Sequence, residues 1–162
     1  MTTKFTALLS AVVFAGMFAS VAQTTPATFS IRIVARQDVV KTGSSIGVVA
    51  LLTDTTNHKI NFIMVNDDMG GDNGYIPKVL DDTGNPLPLS KYGQLIIKGP
   101  RLQGRSGQIR LQPGDSTVPH EIILSELYDL TRPGKYTIQM ERIDKDSKVH
   151  VKSNIITVTV TP

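Results

Sequence analysis

Residues 127–139 read LYDLTRPGKYTIQ. A short apolar stretch carrying Asp129 passes through Pro133 and Gly134, residues that mark a turn, and delivers Tyr136 to the head of a strongly alternating segment. That segment, residues 135–143 (KYTIQMERI), reads as a strand, and residues 149–161, ending VKSNIITVTVT, read as another, with Ile156, Val158 and Val160 in register. The same period of two returns upstream. In residues 27–36 (ATFSIRIVAR) Phe29, Ile31 and Ile33 alternate with Ser30 and Arg32, as in a half-buried strand. Residues 45–53 (SIGVVALLT) and 60–66 (INFIMVN) are apolar on both faces and read as central strands. Residues 75–81, 94–98, 108–112 and 121–124 are shorter strand candidates. Between them lie DDTGNP (81–86), KGPRLQGRSG (98–107), QPGDS (112–116) and RPGK (132–135), built from the residues that turns require. Many short strands, and no amphipathic helix of about ten residues, predict an all-β chain folded as an antiparallel β-sandwich of about 7–9 strands.

Residues 127–139 resemble the E to F corner of immunoglobulin-like and fibronectin-like domains, where a tyrosine hydroxyl bonds back to upstream backbone. The resemblance implies that Tyr136 is the corner tyrosine. The whole ending, LYDLTRPGKYTIQMERID followed by VKSNIITVTVTP, is similar to the closing F and G strands of small secreted bacterial domains, most of which have no assigned function. Antibody-type domains carry a Cys pair and a core Trp. This chain has neither, so Phe29, Phe62 and the aliphatic residues must close the core. An immunoglobulin-like sandwich hosts adhesins, inhibitors, chaperones and enzyme accessory modules, and the fold alone selects none of them.

The amino terminus, MTTKFTALLSAVVFAGMFASVAQTTP, sets the expected compartment. Lys4 precedes an uncharged apolar run over residues 5–21, and Ser20 and Ala22 are the small residues of a cleavage site, so residues 1–22 read as a secretory signal peptide. A short linker (23–26) and one domain (27–162) follow, with a secreted or periplasmic product and no membrane span after cleavage. The 162 residues carry 17 Lys+Arg against 14 Asp+Glu, a net charge of +3. That is weak electrostatics for a chain of this length, and nucleic acid is not expected as a partner. The absence of Cys excludes a disulfide framework, a thiolate metal site and a cysteine nucleophile.

Few motifs carry chemistry. Gly43, Ser45 and Gly47 satisfy the G-x-S-x-G elbow of serine hydrolases, yet a strand pattern follows where that elbow needs a helix, and the segment reads as a turn. Asp67, Asp68, Asp72 and Asn73, in NDDMGGDNG, could give the oxygen ligands of Ca²⁺, with Asp81 and Asp82 as further donors if the next hairpin folds back. Otherwise no cofactor is expected. His58, His120 and His150 stand apart; with Met64, Met69 and Met140 they could form a copper site, although Met64 and Met140 sit in strand patterns where core packing is the ordinary role. Lys98, Arg101, Arg105 and Arg110 form the densest basic cluster, with no acid among them, and suit an acidic polysaccharide, lipid headgroup or protein partner. Tyr75 and Tyr92 are the aromatics expected on exposed loops. No enzyme is expected. The sequence reads as a non-catalytic binding module for an unidentified envelope or extracellular protein or glycan, with contacts on residues 66–76 and 98–107. Two alternatives are a protease inhibitor presenting residues 99–107 (GPRLQGRSG) and a calcium-stabilised structural module.

Overall fold

The computed structural model describes residues 26–65, 74–99 and 106–162. Alternation builds β1 (Phe29–Ala35), which turns Phe29, Ile31 and Ile33 inward and Ser30, Arg32 and Val34 outward. It pairs antiparallel with β3 (Gly47–Asp54), whose Val48, Ala50 and Leu52 are fully buried, and β3 pairs in turn with β7 (His120–Ile123). The facing sheet holds β5 (Ile76–Leu80), β8 (Gly134–Ile143) and β10 (Ile156–Thr161) in antiparallel order. A short β2 (Val39–Lys41) runs parallel to β10 on its other side, and β9 (His150–Lys152) pairs with the far end of β8. The core lies between the sheets, with Ile33, Val48 and Leu52 meeting Val79, Ile138, Met140 and Val158. Strand order β1-β3-β7 facing β5-β8-β10 is the A-B-E and C-F-G arrangement of an immunoglobulin-like sandwich.

Two features are added to that frame. Segments on either side of β5 in the chain, β4 (Ile60–Val65) and β6 (Ser106–Leu111), form a two-stranded ribbon rooted by buried Ile60 and Leu111. Its far end is the pair Val65 and Ser106. A helix, α1 (Lys91–Lys98), rests on a single helical turn, α2 (Leu124–Leu127), which leads from β7 toward β8. Among the described residues no helix is long and apolar enough to cross a membrane.

The structure corrects the sequence reading at several elements. Residues 94–98, expected as a strand, belong to α1. The Ser90 hydroxyl accepts from the Gly93 N–H at 2.9 Å and donates to the Glu126 carbonyl at 2.6 Å, so one side chain both caps the helix and pins it to α2. Of residues 60–66, expected as a central strand, Ile60–Val65 form β4, which among the described residues pairs only with β6, in the ribbon. The single strand expected over 149–161 is two, because Ser153 breaks the run: its hydroxyl oxygen accepts from the Met140 N–H at 2.9 Å and donates to the Asn154 carbonyl at 2.6 Å. Strand β2, three residues long, is too short to show a period.

Sheet edges are closed by side chains. The Asn154 carboxamide imitates a strand residue, accepting from the Ile33 N–H at 2.8 Å and donating to the Ile33 carbonyl at 3.0 Å. On the outer side of β5, Pro77 has no N–H to offer, its carbonyl accepts from the Tyr128 hydroxyl at 2.5 Å, and the Val79 carbonyl accepts from the Leu87 N–H at 2.9 Å.

Candidate functional site

Asp67, Asp68, Met69, Asp72, Asn73, Arg101 and Arg105 lie outside the described residues, and with them the proposed calcium loop and half of the basic cluster. The remaining candidates fall into two groups, those committed to holding the fold and those on the surface.

Tyr75 belongs to the first group, which corrects its expected exposure: it is 1% exposed. Its ring stacks on His120, centroids 5.9 Å apart at 20°, and the Arg142 guanidinium carbon lies 5.0 Å from its centroid. An aromatic ring beside β5 shields the buried Arg142 from the full cost of desolvation through its π face. The Tyr136 hydroxyl donates to the Arg132 carbonyl at 2.7 Å, closing the corner. Met140 is fully buried in the core. The histidines are scattered: His58 is exposed beside Asn57, His120 stacks on Tyr75, and His150 pairs with Glu141. Among the described residues no three His, Cys, Asp or Glu side chains converge as metal ligands.

The G-x-S-x-G segment is a turn with Gly43 at φ +82°, and Gly47 opens β3 rather than a helix. Ser45 lines a cleft of about 220 Å³ with Arg36, Val40, Ile46 and Glu121, and an Arg36–Glu121 ion pair crosses its rim. A Cβ on Gly47 would lie 2.8 Å from the Glu121 Oε1. Register keeps His120 at the other end of the ladder, since Gly47 faces Ile123 whereas Ala50 faces His120.

Among the described carboxylates, Asp54, Asp81, Asp129 and Asp144 hold turns. Asp54, Asp81 and Asp129 each accept from both the N–H and the hydroxyl of the threonine two residues on, Thr56, Thr83 and Thr131, at 2.6–3.2 Å. This Asp-x-Thr spacing is visible in the sequence, a signal for their structural role that the sequence reading passed over. The Thr83 hydroxyl first, then the Asn85 N–H, holds the Asp81 carboxyl below its usual range. The Thr131 hydroxyl does the same for Asp129. At Asp144 burial pushes the carboxyl up, but bonds from the Thr28 N–H, the Ser147 hydroxyl and the Asp146 N–H outweigh it and hold the group low.

The surface group gathers on the connection from β5 to β7. Helix α1 turns Gly93, Ile96 and Ile97 toward the protein, while Lys91, Tyr92, Gln94, Leu95 and Lys98 face out. Tyr92 is 50% and Leu95 52% exposed. Lys91 and Lys98 stand one turn before and after Leu95 on the same face. Arg110, also exposed, faces Asn61 across the ribbon. From Thr83 to Gly114 the sequence has no acid, and its charges are Lys91, Lys98, Arg101, Arg105 and Arg110. Sequence reasoning found Lys98, Arg110 and Tyr92 but passed over Lys91 and Leu95, because the helix that aligns them was read as a strand.

No family model and no curated protein matches the chain. Among solved structures, the CARDB domain of the PF1109 protein from Pyrococcus furiosus, in complex with di-metal ions, is similar at 12% identity and a TM-score of 0.43, over 82% of this chain and 87% of that one. A beta-glucosidase from Listeria innocua in complex with glucose is similar at 12% identity and a TM-score of 0.44, over 84% of this chain but 16% of the glucosidase.

Proposed function

We propose that the chain is a secreted or periplasmic, non-catalytic binding module that grips an acidic partner through the connection between β5 and β7. The observation that carries this reading is the outward face of α1, where Lys91 and Lys98 flank exposed Tyr92 and Leu95, with exposed Arg110 farther along the same stretch, which has no acid of its own. Unopposed positive charge on a rigid frame steers anionic partners and fixes their register. The frame supports the reading from the other side, since Asp54, Asp81, Asp129 and Asp144 are occupied in closing turns. The test is a crosslinking pull-down with residues 23–162, which contain every described element, against envelope and secreted fractions of the source organism. An acidic component should be enriched and then lost when Lys98→Glu and Arg110→Glu are combined. Equal recovery by wild type and variant would move the contact surface elsewhere.

A further inference from the structure

We infer that the outward face of α1 is a docking surface for an anionic lipid headgroup layer, an inference that rests on the acidic-partner reading above. The face joins two chemistries. At its centre is Leu95, an aliphatic side chain 52% exposed, with Tyr92, 50% exposed, beside it. One turn to each side stand Lys91 and Lys98, and the helix contains no acid. Each potential partner makes a different demand on such a face. A polysaccharide has use for the tyrosine ring and the ammonium groups but none for a protruding leucine. A protein interface concentrates aromatics and arginine at its centre and is depleted in lysine. A lipid headgroup layer uses all four residues: the leucine and the ring enter the boundary of the acyl region, and the lysine stems lie along it while their ammonium groups reach the phosphates.

The face is also held ready. Ser90 caps the helix and bonds to Glu126, and Gly93 sits so close to α2 that a Cβ there would come within 2.2 Å of the Leu127 carbonyl oxygen. The outward residues therefore keep a fixed bearing on the sandwich. Eight residues make a helix about 12 Å long, enough for a shallow contact and not for insertion. Reversible, salt-sensitive association is the expected behaviour.

The chain has no Trp, so Tyr92→Trp in residues 23–162 places a single reporter on the face. Its emission should shift to the blue with vesicles of phosphatidylglycerol and phosphatidylcholine, and stay unchanged with phosphatidylcholine alone. In co-sedimentation without the reporter, Lys91→Gln with Lys98→Gln should lower partitioning roughly thirtyfold at low salt. Leu95→Ser should lower it severalfold, and neither variant should move the melting curve. Vesicle binding that survives these variants, or that does not distinguish the two lipids, would overturn the inference. Retention on polyaspartate beads without vesicle binding would also overturn it and leave the acidic-partner reading standing. Binding to neither would remove both.

Discussion

Two tyrosine hydroxyls tie the molecule together, and they differ in how far they reach. Tyr136 bonds to a carbonyl four residues earlier, and Tyr128 to one 51 residues earlier. Removing either hydroxyl leaves a carbonyl without its donor, at a cost of about 1–3 kcal/mol. Tyr136→Phe should fall at the lower end, because its bond is only partly buried, and Tyr128→Phe at the upper end, because its bond is wholly buried. Equilibrium unfolding in urea measures both. Burial also pushes the Tyr128 hydroxyl up to about 12. The folded state then holds this proton more tightly than the unfolded chain does. Its contribution is complete below the unfolded value of about 10 and is lost as pH rises through about 12. Unfolding curves of wild type and Tyr128→Phe should converge across that interval. The same pair shows what was legible in the sequence. Tyr136 lies in a local pattern with Pro133 and Gly134, so its bond could be anticipated from neighbours. Tyr128 and Tyr75 take their partners from distant strands, and nothing near them in the chain announced their burial.

At the scale of elements, two glycines separate a rigid contact from a yielding one. A Cβ on Gly93 would meet the Leu127 backbone at 2.2 Å, whereas one on Gly47 would meet the far end of the Glu121 side chain at 2.8 Å. Backbone cannot step aside without moving α2, but a carboxylate can rotate away from Arg36. Gly93→Ala should therefore destabilise by about 1–3 kcal/mol. Gly47→Ala should cost less than about 1 kcal/mol, the scale of an exposed ion pair. Thermal unfolding of the two variants side by side gives the comparison; equal losses would mean that α1 is not seated on α2 as described. The helix itself was hard to read because Leu95, Ile96 and Ile97 give an unbroken apolar run with no room for a period. Ser90 at its cap was the visible sign. The long strands β1, β8 and β10 were legible because each repeats its alternation, and β3 because a short run apolar on both faces is what a central strand requires. Strand β2 and the break at Ser153 were not, since both depend on partners across the sandwich.

For the molecule as a whole, the closed edges matter as much as the core. An unpaired strand edge is a template for a second chain, and β1 is protected where the Asn154 carboxamide occupies both hydrogen-bonding groups of Ile33. Asn154→Leu would uncover that edge and add an apolar side chain beside exposed Ile155. The variant should show concentration-dependent self-association in sedimentation velocity under conditions where the wild type shows none. A variant that behaves like the wild type would mean that the backbone twist, rather than this side chain, guards the edge.

Strand β10 lies between β8, close behind it in the chain, and β2, whose Val40 carbonyl is reached by a hydroxyl 121 residues away. A ribosome making this protein releases β1, β2 and β3 long before that partner exists. Pairings of such sequence separation are slow to form, so β1 and β3 can pair with each other early, whereas β2 must wait for its neighbour until nearly all of the chain has emerged. The sandwich therefore closes last where its two chain ends meet, and a chain cut short before β10 leaves β2 with no strand beside it.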